Sequence, residues 1–346
     1  MSNTPSVSLS LMAVIAAVTD DVPRILLARD QASHFDVTGH THYASAGTLP
    51  CGPFDPASHR SLDHGCRQWV ETRTGLALQY VEQLYTFGGR NRDPQELHGA
   101  GRLVSIAYLA LTRETETNKH NKATWHDWYS FLPWEDWRAG RPELIDRVIM
   151  PCLRSWAEEQ ACSGRKHRLD RIDLAFGTTA PGTFDPVRAL DRYELLYEAG
   201  LVHESRRDAD ALTQANGKKA PPVPDTKRNV IATLGKPMEM DHRRVLASAL
   251  TRLRGKLAWR PVVFDLVPDT FTLLQLQRVV EALFGTTVHK QNFRRTIASM
   301  DLVEPTGQME TQGRGRPAEL FRFRRAAILE RRTLGIGVPV VRGEQS

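Results

Sequence analysis

Residues 7–18 and 24–28 are two apolar runs rich in β-branched side chains, separated by a turn-forming stretch at 19–23, and residues 80–87 and 102–111 repeat the pattern. Runs of this length and composition predict strands. Between the two pairs, the segment 49–76 has helical spacing and stops at Gly75, the residue type that most easily takes the left-handed conformation closing a helix. Farther on, 142–159 (interrupted by Pro151) and 186–201 (with Leu195, Leu196 and Leu201 partly in register) predict helices. The character then changes. Across 206–236, Asp, Ala, Lys, Gly and Pro replace the apolar stripe around KKAPPVPD, the composition of a linker or mobile loop.

The last hundred residues return to clear periodicity. Within 241–259, Val245, Leu246, Ala249, Leu250, Leu253 and Leu257 form one helical stripe, with Arg243, Arg244, Arg252 and Arg254 among the positions expected to be exposed. Thr272-Leu-Leu-Gln275 has the form of a capping box, and Leu276, Val279, Val280, Leu283 and Phe284 continue at helical spacing until Gly285. In 288–300, Phe293, Ile297 and Met300 share a face, which leaves Lys290, Gln291, Asn292, Arg294, Arg295 and Ser299 pointing elsewhere. Two strands, 302–306 and 318–323, flank Gln312-Gly-Arg314-Gly-Arg316-Pro317. Three helices followed by a Gly-flexed hairpin predict a winged helix-turn-helix. Its third helix carries the Arg, Asn and Gln side chains that can form paired hydrogen bonds to guanine and adenine edges, and Arg314 and Arg316 sit at the tip of the wing.

Charge sharpens this picture. The chain has 346 residues, room for two or three domains, and a formal net charge of +6. Residues 236–332 alone contain 18 Lys and Arg against 10 Asp and Glu, so the rest is slightly acidic. A basic C-terminal domain points to a polyanionic partner such as double-stranded DNA, the alternative being a solvated basic face. The apolar run 9–18 is too short to span a bilayer and no Lys or Arg precedes it, so no membrane association is expected. Cys51, Cys66, Cys152 and Cys162 form no CxxC pair, which fits reduced thiols in a cytoplasm and no zinc site.

The segment LPCGPFDPASHRSLDHGCRQWVETRTGL resembles the signature loop and helix of the Nudix hydrolases with its carboxylates removed. In that signature, glutamates at i, i+3 and i+4 share a helical face and bind the Mg²⁺ that stabilises a departing pyrophosphate. Anchored on Gly75 and Leu76, the three Glu positions fall on Trp69, Thr72 and Arg73, and the Arg position on Gln68; the upstream Glu falls on Ser58 or Arg60. Asp55, Asp63 and Glu71 remain, but they lack the required spacing. No catalytic residue, metal ligand or cofactor is assigned.

DHRRVLASALTRLRGKL, FDLVPDTFTLLQLQRVVEALFG, HKQNFRRTIASMDLVEPTG and GRGRPAELFRF, in this order, resemble the C-terminal domain of the NrtR family, Nudix-related transcriptional regulators of NAD metabolism. QLYTFGGRNRDP followed by GRLVSIAYLAL is similar to that family's segment after the box. The resemblance implies an α+β protein with a Nudix-like α/β/α sandwich at 5–135 and a winged helix at 241–335; between them, spacing and composition predict a helical insert at 136–205 and a flexible linker at 206–240. It further implies a homodimeric repressor whose degenerate Nudix domain senses ADP-ribose or a related NAD-derived nucleotide. On that arrangement Gln83, Tyr85, Phe87, Arg92 and Arg102 flank the box as candidate ligand residues. Arg73, a cation in place of a metal ligand, is a candidate to hold the diphosphate directly. The competing expectation is an active ADP-ribose pyrophosphatase whose C-terminal domain only dimerises. The family pattern known to us has no counterpart to the roughly hundred residues between Trp134 and Met240.

Overall fold

The computed structural model describes residues 6–28, 47–78, 80–114, 123–177, 184–257, 262–310 and 317–324. The N-terminal sheet comprises β1 (Val7–Thr19), β2 (Val22–Ala28), β3 (Cys51–Pro53), then, after helix α1 (Leu62–Thr74), β4 (Tyr80–Phe87), β5 (Arg102–Leu111) and β6 (Ala123–Asp127). Its order is β4-β5-β1-β2-β6, with β3 also paired to β1. Central β1 runs parallel to β5, from Val7 opposite Arg102 to Ala16 opposite Leu111. Both strands are buried on both faces, which is why they read as continuous apolar runs. The two-residue period divides them. Leu11, Ala13, Ile15, Ile106, Tyr108 and Ala110 pack with Cys66 and Val70 of α1. Met12, Val14, Ala16, Ala107, Leu109 and Leu111 join the large core formed with the middle and C-terminal helices. Helices therefore cover both faces of the sheet.

The middle of the chain is built of α2 (Met150–Glu158), entered through a π-helical turn at Ile145–Ile149, α3 (Cys162–Phe176), α4 (Ala189–Glu198), α5 (His203–Ala215) and α6 (Asp225–Thr233). The expectation of a flexible linker over 206–240 needs correction: most of α5 and all of α6 lie inside it. The reason is polar anchoring. The carboxylate of Glu204, 1 % exposed, accepts from the Met238 amide and from Arg243 Nη1, while Arg207 donates to the Met240 carbonyl at 2.6 Å. Ile231 and Leu234 fix α6 and its end in the apolar core.

The C-terminal part contains α7 (His242–Leu257), β7 (Thr270–Phe271), α8 (Leu273–Phe284), α9 (Lys290–Met300), β8 (Val303–Glu310) and β9 (Ala318–Phe323), with the small sheet ordered β7-β9-β8. The capping box at α8 forms as expected: Thr272 Oγ1 accepts from the Gln275 amide and Gln275 Oε1 accepts from the Thr272 amide. Gly285 closes α8 at φ 69°, and a Cβ there would lie 2.2 Å from the Glu135 carbonyl oxygen, so glycine is required twice over. The first strand of the wing is longer than 302–306, continuing to Glu310 beyond an irregularity between Pro305 and Met309.

Two expected exposures on α7 are wrong. Arg243 and Arg254 are both fully buried. Arg254 pairs with Glu135 at 2.5 Å, Arg192 chelates the same carboxylate through Nε and Nη2 at 2.5 and 2.8 Å, and Arg243 meets Glu204 at 3.3 Å. Burial raises the Glu135 carboxyl, but the two guanidiniums outweigh it and hold the group below its ordinary value. Two of the basic residues behind the C-terminal charge excess are thus internal ties between α7 and the rest of the chain, not surface charge.

Candidate functional site

The box helix α1 begins at Ser61, whose hydroxyl accepts from the His64 amide at 3.1 Å, and ends at Gly75, whose amide donates to Glu71 O at φ 74°. Cys66, Val70 and Thr74 face the sheet, so the former metal positions fall on the flank. Trp69 lies against Gly52, where a Cβ would come within 2.3 Å of the indole, and its N–H donates to the Pro53 carbonyl at 2.8 Å. The Arg73 guanidinium stacks 5.2 Å above the Trp69 ring, and Thr72 and Gln68 are exposed. The indole fills the ground where a cation would need an oxygen. Asp55 bonds Ser58 Oγ and the Ala57 amide, interactions that hold its carboxyl below the ordinary value, and Asp63 pairs with Arg67 at 2.9 Å. Among the described residues no three His, Cys, Asp or Glu side chains converge on a possible metal position. The residues present do not fit the divalent cation that Nudix chemistry uses.

Of the expected ligand residues, Tyr85, Phe87 and Arg92 line one cleft of about 400 Å³, together with Gly88, Arg90, Tyr197 and Asp241. Arg73, Gln83 and Arg102 do not line it. Tyr85 is 62 % exposed while Phe87 is core, their rings meeting edge-on at 5.1 Å. The register of β4 against β5 shifts between Gln83 and Tyr85, leaving Gln83 exposed farther back along the strand. Arg102 is held by Glu96 at 3.1 Å. Arg92, expected as a ligand residue, is already engaged within the protein. It is buried, its Nε and Nη2 chelate the Asp241 carboxylate, the latter contact at 2.5 Å, and its Nη1 donates to Ser105 Oγ. Arg90, Tyr197 and Asp241 were missed. The Gly88-Gly89-Arg90 turn was a usable signal for the first; nothing local announced the other two.

On α9 the expected division is present. Phe293 and Ile297 are buried, and Lys290, Gln291, Asn292, Arg294, Arg295 and Ser299 are all exposed. Asn292 Oδ1 accepts from Arg295 Nη2 at 3.0 Å, one turn along the same face. Arg314 and Arg316 lie outside the described residues; the strands leading to them, β8 and β9, form an antiparallel hairpin. A helix with an apolar inner edge and an outer edge of long cations and carboxamides can enter a major groove without unfolding anything.

A Nudix-type sandwich without its metal ligands, joined to a winged helix, defines the class of this protein. Residues 263–323 match the NrtR DNA-binding winged helix domain. The chain is 36 % identical over 86 residues to the ADPR responsive transcriptional repressor NtrR of Acinetobacter baylyi, a match that covers 25 % of this chain and about a third (34 %) of that protein. The fold is similar to that of Shewanella oneidensis NrtR complexed with a 27mer DNA (TM-score 0.51, 18 % identity, 92 % of this chain and 94 % of that one). It is also similar to Shewanella oneidensis NrtR alone (TM-score 0.50, 18 % identity, the same coverage). The sequence likeness thus lies in the winged helix domain, and the likeness across the rest of the chain is one of fold.

Proposed function

We propose that this protein is a transcriptional repressor of NAD metabolism genes that binds an operator through α9 and the wing, and that ADP-ribose or a related NAD-derived nucleotide releases it. The exposed row Lys290, Gln291, Asn292, Arg294, Arg295 and Ser299, in a domain matched to a DNA-binding family, carries the reading. The name of the Acinetobacter relative, an ADPR responsive repressor, supports the choice of effector. The protein acts as a homodimer in the cytoplasm, needs no metal or cofactor, and reads a near-palindromic site with half-site centres an integral number of helical turns apart. Among the described residues no helix is long and apolar enough to cross a membrane. Anisotropy of labelled operator DNA, titrated with protein with and without ADP-ribose, tests the proposal. Binding only to random sequence, with no nucleotide response, would refute it.

The rival, an ADP-ribose pyrophosphatase, requires oxygen ligands where Trp69, Thr72 and Arg73 stand. Chromatography of ADP-ribose incubated with Mg²⁺ or Mn²⁺ at high protein concentration should show no ordinary turnover. A rate approaching about 1 s⁻¹, the low end of common enzymes, would restore the rival.

A further inference from the structure

The cleft beyond β4 has walls from three separate parts of the chain. The turn after β4 supplies Arg90 and Arg92, α5 supplies Asp208 and Ala211, and Asp241 stands at the start of α7. Its volume, about 400 Å³, lies in the range of small-molecule sites. Tyr85 offers an aromatic face at its rim, 62 % exposed. The amides of Gly89 and Arg90 donate to no group among the described residues, and the exposed Arg90 side chain has no ion-pair partner among them. Free amides beside a free guanidinium form an anion cradle. The acids in the cleft are already engaged: Asp208 accepts from Tyr197 Oη at 2.8 Å and pairs with Arg207, and Asp241 holds Arg92.

We propose that this cleft, and not the box helix, receives the diphosphate of the effector, and that binding transfers Arg92 from Asp241 to a phosphate oxygen. The inference rests on the nucleotide-responsive reading above and assigns it a place and a coupling step. No bond is made or broken covalently; one buried anion replaces another on the same guanidinium. A diphosphate carries more charge than a carboxylate and is met by Arg90 and the two amides as well, so it competes effectively for Arg92. Once displaced, the Asp241 carboxylate lies beside the incoming phosphate and is repelled by it. Asp241 immediately precedes α7, and its carbonyl accepts from the Val245 amide in the first turn. Loss of the Arg92 tie therefore loosens the start of the helix on which α8 packs. The ligand gains the Arg92 contact only in the released arrangement, which is the differential affinity that any effector needs.

The test uses the full chain with ADP-ribose and calorimetry. Arg90→Glu should weaken ADP-ribose binding roughly tenfold or more. Asp241→Asn should tighten it, because Arg92 is then more readily given up, while weakening operator binding in the absence of nucleotide. A pair that merely braced the fold would give the opposite sign on nucleotide affinity, with a lower Tm. If Arg90→Glu binds ADP-ribose like wild type while Arg73→Glu loses it, the ligand sits at the box helix; the exchange is then wrong although nucleotide regulation stands. If wild type binds no ADP-ribose, the regulatory reading fails. A rise in Tm with inorganic pyrophosphate that Arg90→Glu abolishes would still support the cradle, and the absence of that rise would remove it.

Discussion

His242 is the residue that joins the loop before the box to the first helix of the winged domain. Its Nδ1 accepts from the Leu49 amide at 3.2 Å, which places the ring proton on Nε2, an atom buried without a partner. Burial drives its pKa down to about 4; Asp241 opposes that shift, and Arg92 and Arg207 add to it. The sign follows from linkage. The unfolded chain takes a proton near pH 6.5 and the folded chain does not, so the stability this neutral ring contributes is complete above about 6.5 and is lost as pH falls toward 4. Replacing it with Asn, whose carbonyl can still accept from the Leu49 amide, removes the titration. Urea unfolding of wild type and His242→Asn at pH 7 and pH 4.5 should show the difference between them shifting by up to ~3 kcal/mol in favour of the variant at the lower pH. Parallel pH profiles for the two proteins would show that the imidazole titrates as freely when folded as when unfolded.

Among the elements, α9 makes the most specific claim. Arg295 lies on its exposed face and donates a hydrogen bond to Asn292, so the two side chains are preset as a pair on that face. Arg295→Ala should cost about 1–3 kcal/mol on the operator and little on random DNA. Arg314→Ala, in the wing segment, should weaken both and make the salt dependence shallower by about one unit of slope. Equal losses on specific and random DNA for both variants would deny this division. That the faces of α9 follow from its spacing while two arginines of α7 do not has a physical basis. Phe293 and Ile297 announce the inner face of α9 by themselves, and no charge there needs a remote partner. On α7, spacing assigns Arg243 and Arg254 to solvent. They are internal because Glu204 and Glu135, far away in sequence, neutralise them, and no periodicity records such pairings. The same blindness made α5 look like linker: its one fully buried side chain is a glutamate. Strands β1, β2, β4 and β5 and the broken box were legible because local apolar runs and a fixed motif spacing define them. The cleft was only half legible, since Tyr197 and Asp241 reach it through tertiary structure alone.

At the scale of the molecule, the insert decides how rigidly the two recognition surfaces are joined. Glu135, at the end of the Nudix-like part, binds Arg192 of α4 and Arg254 of α7 at once, and α4 packs along α7 through Arg244 and Glu194 at 2.6 Å. The winged helix is therefore not a tethered module. Its first helix is fastened into the same core as the sheet, and that core continues through α8 to Phe293 and Ile297 of α9. An effector can alter operator affinity only by the amount that it prefers one arrangement of the protein over the other, and a typical coupling of about 1–3 kcal/mol corresponds to a 5- to 150-fold change. ADP-ribose is expected to lower operator affinity within that range. Thermodynamic reciprocity then requires operator DNA to weaken ADP-ribose binding by the same factor, which calorimetry with and without saturating DNA measures directly. Severing the Glu135 node should change this factor and not merely the stability. Glu135→Gln leaves two buried guanidiniums facing a neutral amide, so the joint loosens where the ligand's effect must pass. If Glu135→Gln folds and couples nucleotide to DNA as strongly as wild type, the signal travels by another route. If ADP-ribose and NAD at millimolar concentration leave operator affinity of the wild type untouched, the Nudix-like half is a scaffold.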